Sequence, residues 1–219
     1  EFFGRKVYNS SRNIWLFASY LLTLRTILGN KRKMKEIMAD HFPNYSNEDL
    51  LCLYMITGGV AKYVELLMDA QCYTKEKMLN YVCRQDSYFL TEGRDIVNQE
   101  FSDEGTTYFS ILQMIAEGMT RRGDIDGAMQ KDMGVYLQNL EKNYNMISRL
   151  KPLLAKPNSK VTAYEISDQF LRFWFRFICP YQSLIERQQF TLIRQNIGKN
   201  YEQFSGRTLE QYFQAKTME

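Results

Sequence analysis

This chain of 219 residues has a single histidine, four prolines and four cysteines, and each shortage removes a class of chemistry. His41 stands beside Phe42-Pro43 and reads as a turn residue, while Cys52, Cys72, Cys83 and Cys179 share no C-x-x-C spacing. No Cys/His set therefore stands at the intervals a zinc site needs. The thiols are expected to be free and buried, in a reducing, cytoplasmic setting. No stretch approaches the ~18 consecutive apolar residues of a membrane span. The apolar run over residues 14–24 holds Ser19, Tyr20 and Thr23 and leads into Lys31-Arg32-Lys33, so it reads as a helix face rather than an export signal. The phosphate-binding pattern G-x-x-x-x-G-K-[ST] is missing, and Asp124, Asp126 and Asp132 lack the glycine and glutamate positions of a calcium loop. Neither a catalytic constellation nor a metal site is expected within the chain.

What is abundant is core material: 45% hydrophobic residues, 14% aromatic. The net charge of +3 is unevenly placed. Residues 46–118 carry 5 basic and 12 acidic side chains, whereas residues 119–160 carry 8 and 4. The basic excess falls on a stretch with its own pattern. A helix over 107–119 aligns Phe109, Leu112, Ile115 and Ala116. Gly118 and Gly123 punctuate its exit, and Asp124 is placed to cap a short helix running through Lys131. Gly134 opens a third helix, 135–145, with Val135, Leu137, Leu140 and Tyr144 expected to face inward. Apolar runs at 147–154 and 161–166 flank Lys156-Pro157-Asn158-Ser159, the signature of a hairpin.

Three helices and a hairpin in that order make a winged helix-turn-helix. Its third helix would offer Gln138, Asn139, Lys142 and Asn143 outward. Arg121 and Arg122 precede the second helix, and Arg149, Lys151, Lys156 and Lys160 lie on or near the wing. Such cations contact phosphates, and Asn or Gln reads adenine edges, so double-stranded DNA is one expected partner. The other expectation is that the module bridges neighbouring domains without touching nucleic acid.

The remainder reads as helices: 14–28, 31–41, one capped by Ser46 or Asn47 and ended by Gly58-Gly59, then 60–68, 72–84 and 88–100. An acidic, turn-rich stretch at 101–105 supplies a boundary. After the hairpin, Ser167 or Asp168 caps a helix carrying Phe170, Leu171, Phe173, Trp174, Phe175 and Phe177. These are too many aromatics for one face, so that helix must be buried on several sides or contact a partner. Helices over 184–196 and 197–216 follow, with Gly198 and Gly206 as interruptions. The expected fold is mainly α: a helical lid-like region at 1–105, a winged helix-turn-helix at 106–167 and a C-terminal helical segment at 168–219.

Three stretches together resemble one family. Tyr54-Met55-Ile56-Thr57-Gly58-Gly59-Val60-Ala61-Lys62-Tyr63-Val64 is similar to its lid segment Y-x-x-x-G-G-x-P-x-Y-L, with Ala61 in place of the proline. Tyr164-Glu165-Ile166-Ser167-Asp168-Gln169-Phe170-Leu171-Arg172-Phe173-Trp174-Phe175-Arg176-Phe177 resembles the motif Y-x-I-x-D-x-F-L-R-F-W-F-R-F after its winged helix. Gly206-Arg207-Thr208-Leu209-Glu210-Gln211-Tyr212-Phe213 resembles the entry, G-R-x-x-E-x-x-F, to a restriction-endonuclease-like domain. The family is that of archaeal-type AAA+/STAND-like ATPases, also common in Bacteroides-type bacteria.

The resemblance implies a C-terminal portion that follows the nucleotide-binding core, with Gly58 and Gly59 in the lid and Glu210 as a nuclease-domain acid. ATP and magnesium are implied for an intact member and not for this chain. The implied role is a non-catalytic winged-helix module that binds DNA or bridges domains. The alternatives are an ATP hydrolase with a nuclease-like domain in the intact protein, or a dimerising fragment. Expected partners are then DNA, the ATPase core or another protein, or a second copy, without a membrane.

Overall fold

The computed structural model describes residues 33–101, 105–150 and 163–217, with side chains through residue 210. The chain divides into two compact units, residues 1–75 and 76–219. The expected boundary at 101–105 falls inside the second, and residues 102–104 lie outside those described.

In the first unit, α1 (residues 33–41) buries Met34 and Met38 and is followed by α2 (Asn47–Thr57) and α3 (Ala61–Asp69). Of the two candidates it is Ser46 that caps α2. The Asp49 amide donates to Ser46 Oγ at 3.1 Å and the Ser46 amide donates to Asp49 Oδ2 at 2.9 Å, a reciprocal capping box. Asp49 Oδ1 also accepts the Lys75 amide at 2.7 Å, which opens α4 (Lys75–Val82). Burial alone would raise the Asp49 pKa, but these backbone bonds from Ser46 and Lys75 outweigh it and hold the carboxyl below its ordinary value. The two glycines after α2 have a backbone reason. Gly58 sits at φ 60° and Gly59 at φ 80°, left-handed conformations that side chains resist. Thr57 Oγ1 donates to the Leu53 carbonyl at 2.7 Å and accepts the Gly59 amide at 3.1 Å, closing that turn.

The second unit begins at Glu76 within α4 and adds α5 (Tyr88–Glu100), α6 (Gly105–Glu117), α7 (Arg122–Met129), α8 (Gly134–Lys142), β1 (Ile147–Leu150), β2 (Ala163–Ile166) and α9 (Gln169–Phe177). A 3₁₀ turn (Cys179–Tyr181), α10 (Gln182–Glu186) and α11 (Phe190–Thr217) complete it. Its core is organised on α9. Asp168 caps that helix, accepting the Leu171 amide at 2.7 Å. Phe170, Phe173, Trp174, Phe175 and Phe177 are all buried, so the aromatic surplus is core. Phe109 of α6 lies 5.1 Å from Phe175 and 6.2 Å from Trp174, Phe204 of α11 lies 5.0 Å from Phe177, and Phe89 of α5 lies 6.2 Å from Phe170. Trp174 Nε1 donates to the Leu90 carbonyl at 3.2 Å. The indole lies so close to α5 that a Cβ added at Gly93 would sit 2.2 Å from Trp174 Cδ2.

The fold is thus mainly helical, with one two-stranded antiparallel sheet among the described residues. Several expectations are corrected. Val135 is 70% exposed, not inward, and the buried stripe of α8 is Leu137 and Leu140. Asp124 lies inside the first turn of α7, whose N-cap is Arg121 without a side-chain bond. The third helix ends at Lys142 because Asn145 turns left-handed at φ 53°. The last two expected helices, 184–196 and 197–216, are instead the short α10 and the unbroken α11. Gly198 and Gly206 lie in α11 with nothing within 4 Å of a built Cβ, so each costs helix propensity without breaking the helix.

All four cysteines are free and buried. Burial pushes the Cys83 thiol up to about 12 against the pull of Arg194, and that of Cys179 up to about 11. Among the described residues no helix is long and apolar enough to cross a membrane.

Two substitutions test this packing. Gly93→Ala is expected to lower stability by about 3 kcal/mol, because the new methyl overlaps the indole ring rather than the end of a flexible chain. A urea midpoint equal to that of the wild type would show that Trp174 can move aside. Asp49→Ala is expected to cost about 1 kcal/mol at neutral pH through the lost cap. Because the folded pKa of Asp49 is depressed, its ionic contribution is full above the ordinary carboxylate range and fades as pH falls through the folded pKa. Paired denaturation curves should therefore converge on acidification below about pH 4.

Candidate nucleic-acid interface

Residues 105–166 fold as helix, helix, helix, strand, strand, with one further backbone pairing that no sequence pattern announced. After α6 the chain turns at Gly118 (φ 110°), and Arg121 then bridges Ala163 of β2 in antiparallel fashion. The Tyr164 amide donates to the Thr120 carbonyl at 2.7 Å. β2 thus has β1 on one side and the α6–α7 connection on the other. The β1–β2 register sets Ile147 opposite Ile166 and Arg149 opposite Tyr164. Ser148 pairs with Glu165, its hydroxyl donating to Glu165 Oε1 at 3.3 Å. Arg172 of α9 ties β2 down by donating to the Ile166 carbonyl at 2.6 Å and meeting Glu165 at 3.4 Å.

The turn between α7 and α8 is closed by two aspartates. Asp126 Oδ1 accepts the Met133 amide at 2.8 Å, and Asp132 Oδ1 accepts the Gly134 amide at 2.7 Å. Arg122 clamps both: Nη2 reaches the two Asp132 oxygens at 2.8 and 2.9 Å, and Nε reaches Asp126 Oδ2 at 3.3 Å. The Gly134 amide bond lowers the Asp132 pKa against a small burial penalty and with help from Arg122; in return the Asp132 charge raises that of Arg122. Position 134, two residues after Asp132, is glycine for a steric reason. A Cβ at Gly134 would stand 2.7 Å from Arg122 Nη2 and 2.9 Å from Asp132 Oδ1. On the sheet, Arg149 pairs with Glu141 of α8 through Nη2 at 2.8 Å and Nε at 2.9 Å, and lies 5.8 Å from the centre of the Tyr164 ring.

Four of the expected contact residues are thereby placed around α8. Arg122, Gln138 and Arg149 line one open groove of about 420 Å³, together with Asp132, Val135 and Tyr164, and Gly134 forms part of its wall. Lys142 is exposed one helical turn beyond Gln138, on the same side of α8. Arg121 is exposed at the bridge to β2. Asn139, expected outward, turns toward α6, where its amide donates to Tyr108 Oη at 3.1 Å and its oxygen accepts from Asn143 at 2.9 Å. Lys151, Lys156 and Lys160 lie outside the described residues.

Gly58 and Gly59 belong to the first unit, in the α2–α3 turn. Glu210 is exposed on α11, and among the described residues no group of three or more His, Cys, Asp or Glu is arranged to hold a metal. The residues that sequence reasoning passed over are acidic: Asp126, Asp132 and Glu141. The i,i+4 spacing of Arg122 and Asp126 was available as a signal. The Glu141–Arg149 pair spans a turn and was not.

No family model and no solved structure matches the chain. It is 31% identical over 176 residues to an uncharacterized protein of Methanocaldococcus jannaschii, a match covering 79% of this chain and 38% of that protein. The chain therefore corresponds to less than two fifths of this longer archaeal relative.

Proposed function

We propose that the chain is part of an AAA+/STAND-like ATPase, and that residues 105–166 form a winged helix whose role is to join the helices around it, without catalysis of its own. The lid-like, aromatic and C-terminal motifs support the family, as does similarity to an archaeal protein of greater length. The order of elements and the Arg121–Ala163 bridge, which supplies the short extra strand position between the first two helices, support the winged helix. ATP and magnesium would act in the nucleotide-binding core of such a protein. Free, buried thiols suit a cytoplasmic setting.

The observation that carries the bridging role is the state of the two arginines on the exposed side of α8. Arg122 and Arg149 are each held by carboxylates of the same unit, and the amides at the start of α8 are taken by Asp126 and Asp132. A DNA backbone would meet two guanidiniums whose charge these carboxylates already offset, and would gain less from them than from free cations. A second reading, DNA contact, is favoured by the exposure of Arg121, Gln138 and Lys142 around the same helix.

Fluorescence anisotropy of a labelled random duplex at about 50 and 200 mM salt separates the two readings, because released counterions set the salt slope. A bridging module leaves the anisotropy unchanged at the lower salt. Binding that weakens steeply with salt and drops in Lys142→Ala would establish a phosphate-contacting surface instead.

A further inference from the structure

The groove between α8 and the sheet has properties that neither role requires. Arg122 uses Nε and Nη2 for Asp126 and Asp132, and Arg149 uses Nε and Nη2 for Glu141. In each guanidinium Nη1 donates no hydrogen bond to a described residue, and both side chains line the same groove. Carboxylates that grip an arginine from behind fix the plane of its guanidinium, so less freedom is lost when the remaining donors engage a ligand. Gln138 lines the groove from α8, exposed and without a hydrogen-bond partner among the described residues, and supplies a further donor. Asp132 also borders the groove, but its oxygens are already engaged by Gly134 and Arg122.

We infer that this groove binds one phosphoryl group, held by the free amino groups of Arg122 and Arg149 with the Gln138 amide. A forked pair of guanidiniums with a neutral amide matches the several acceptor oxygens of a phosphate better than the two of a carboxylate. A volume of about 420 Å³ leaves room for the group that carries the phosphate. The phosphate could be that of a small phosphorylated molecule or of a nucleic-acid backbone. Two arginines faced by three carboxylates create no net positive field to gather a polyanion, which favours the small molecule. The inference goes beyond the bridging role, which survives its failure.

Isothermal titration calorimetry of the full chain tests it with three probes: inorganic phosphate, adenosine monophosphate, and a short duplex without terminal phosphates. Saturable binding of phosphate or the nucleotide is expected. Arg149→Lys should weaken it about tenfold, because an ammonium cannot replace the fork. Gln138→Ala should weaken it about fivefold, the worth of one hydrogen bond. The second variant guards against misfolding, since Gln138 is exposed and holds nothing in place. Saturable binding confined to the duplex, and weakened by Gln138→Ala, would assign the phosphate to a nucleic-acid backbone and remove the bridging role. Absence of heat with all three probes, or binding indifferent to both substitutions, would overturn the site and leave the bridging role standing.

Discussion

The contact on which the second unit depends is the indole of Trp174 laid against Gly93. A ring of that size with no exposure needs an acceptor for its N–H and a surface flat enough to pack on. α5 provides both within one helical turn, the Leu90 carbonyl as acceptor and the missing side chain of Gly93 as the flat surface. Around that anchor, α9 can carry five aromatics in nine residues because it has neighbours on several sides. Phe89 and Gly93 come from α5, Phe109 from α6 and Phe204 from α11. Each ring meets another at an edge or a tilt, the arrangement their quadrupoles favour. Where total stability is about 5–15 kcal/mol, a disturbed anchor of this kind removes a large share of it.

The site inherits its geometry from that core. α9 begins three residues after β2 ends, and its first turns reach back: Asp168 caps the helix while Arg172 holds the Ile166 carbonyl and Glu165. β2 is thereby fixed to α9, β1 is set by register against β2, and the α6–α7 connection is set by Arg121 against Ala163. The strand that carries Arg149 and the residues that carry Arg122 are positioned by the same chain of contacts that starts at Trp174.

How much of this was legible depends on how local the signal was. The caps could be narrowed to Ser46 or Asn47 and to Ser167 or Asp168, because capping is decided within three or four residues, and Ser46 and Asp168 are the ones that bond. The two strands could be found from the β-branched or apolar runs on either side of the Pro-Asn-Ser sequence. The exposure of Val135 could not, since its spacing to Leu137 and Leu140 does not reveal which side of a short helix meets the core. Gly198 and Gly206 look like breaks in sequence, but a solvent-facing glycine weakens a helix without ending it, and α11 runs through both. The Arg121–Ala163 pairing joins residues 42 positions apart through a single backbone contact and leaves no periodic trace. Nor does composition distinguish an arginine offered to solvent from one already held.

That last distinction governs the chemistry of the exposed face. Between residues 119 and 160 there are eight cations and four acids, a surplus that suggests attraction to any polyanion. Yet three of those acids, Asp126, Asp132 and Glu141, are engaged by only two of the cations, Arg122 and Arg149. A count of charge treats this as partial cancellation; the geometry makes it something different. The carboxylates offset the charge of these two arginines locally, so the surplus lies with the other cations of the stretch. The carboxylates also hold each guanidinium by two of its nitrogens, leaving Nη1 without a hydrogen bond to a described residue beside the groove. Affinity at such a surface comes from matching donors to acceptors over a few ångströms rather than from net charge. The ligand it selects is one whose oxygens fit the donors left over at Arg122, Arg149 and Gln138, and local neutralisation of the two arginines makes that fit the deciding factor.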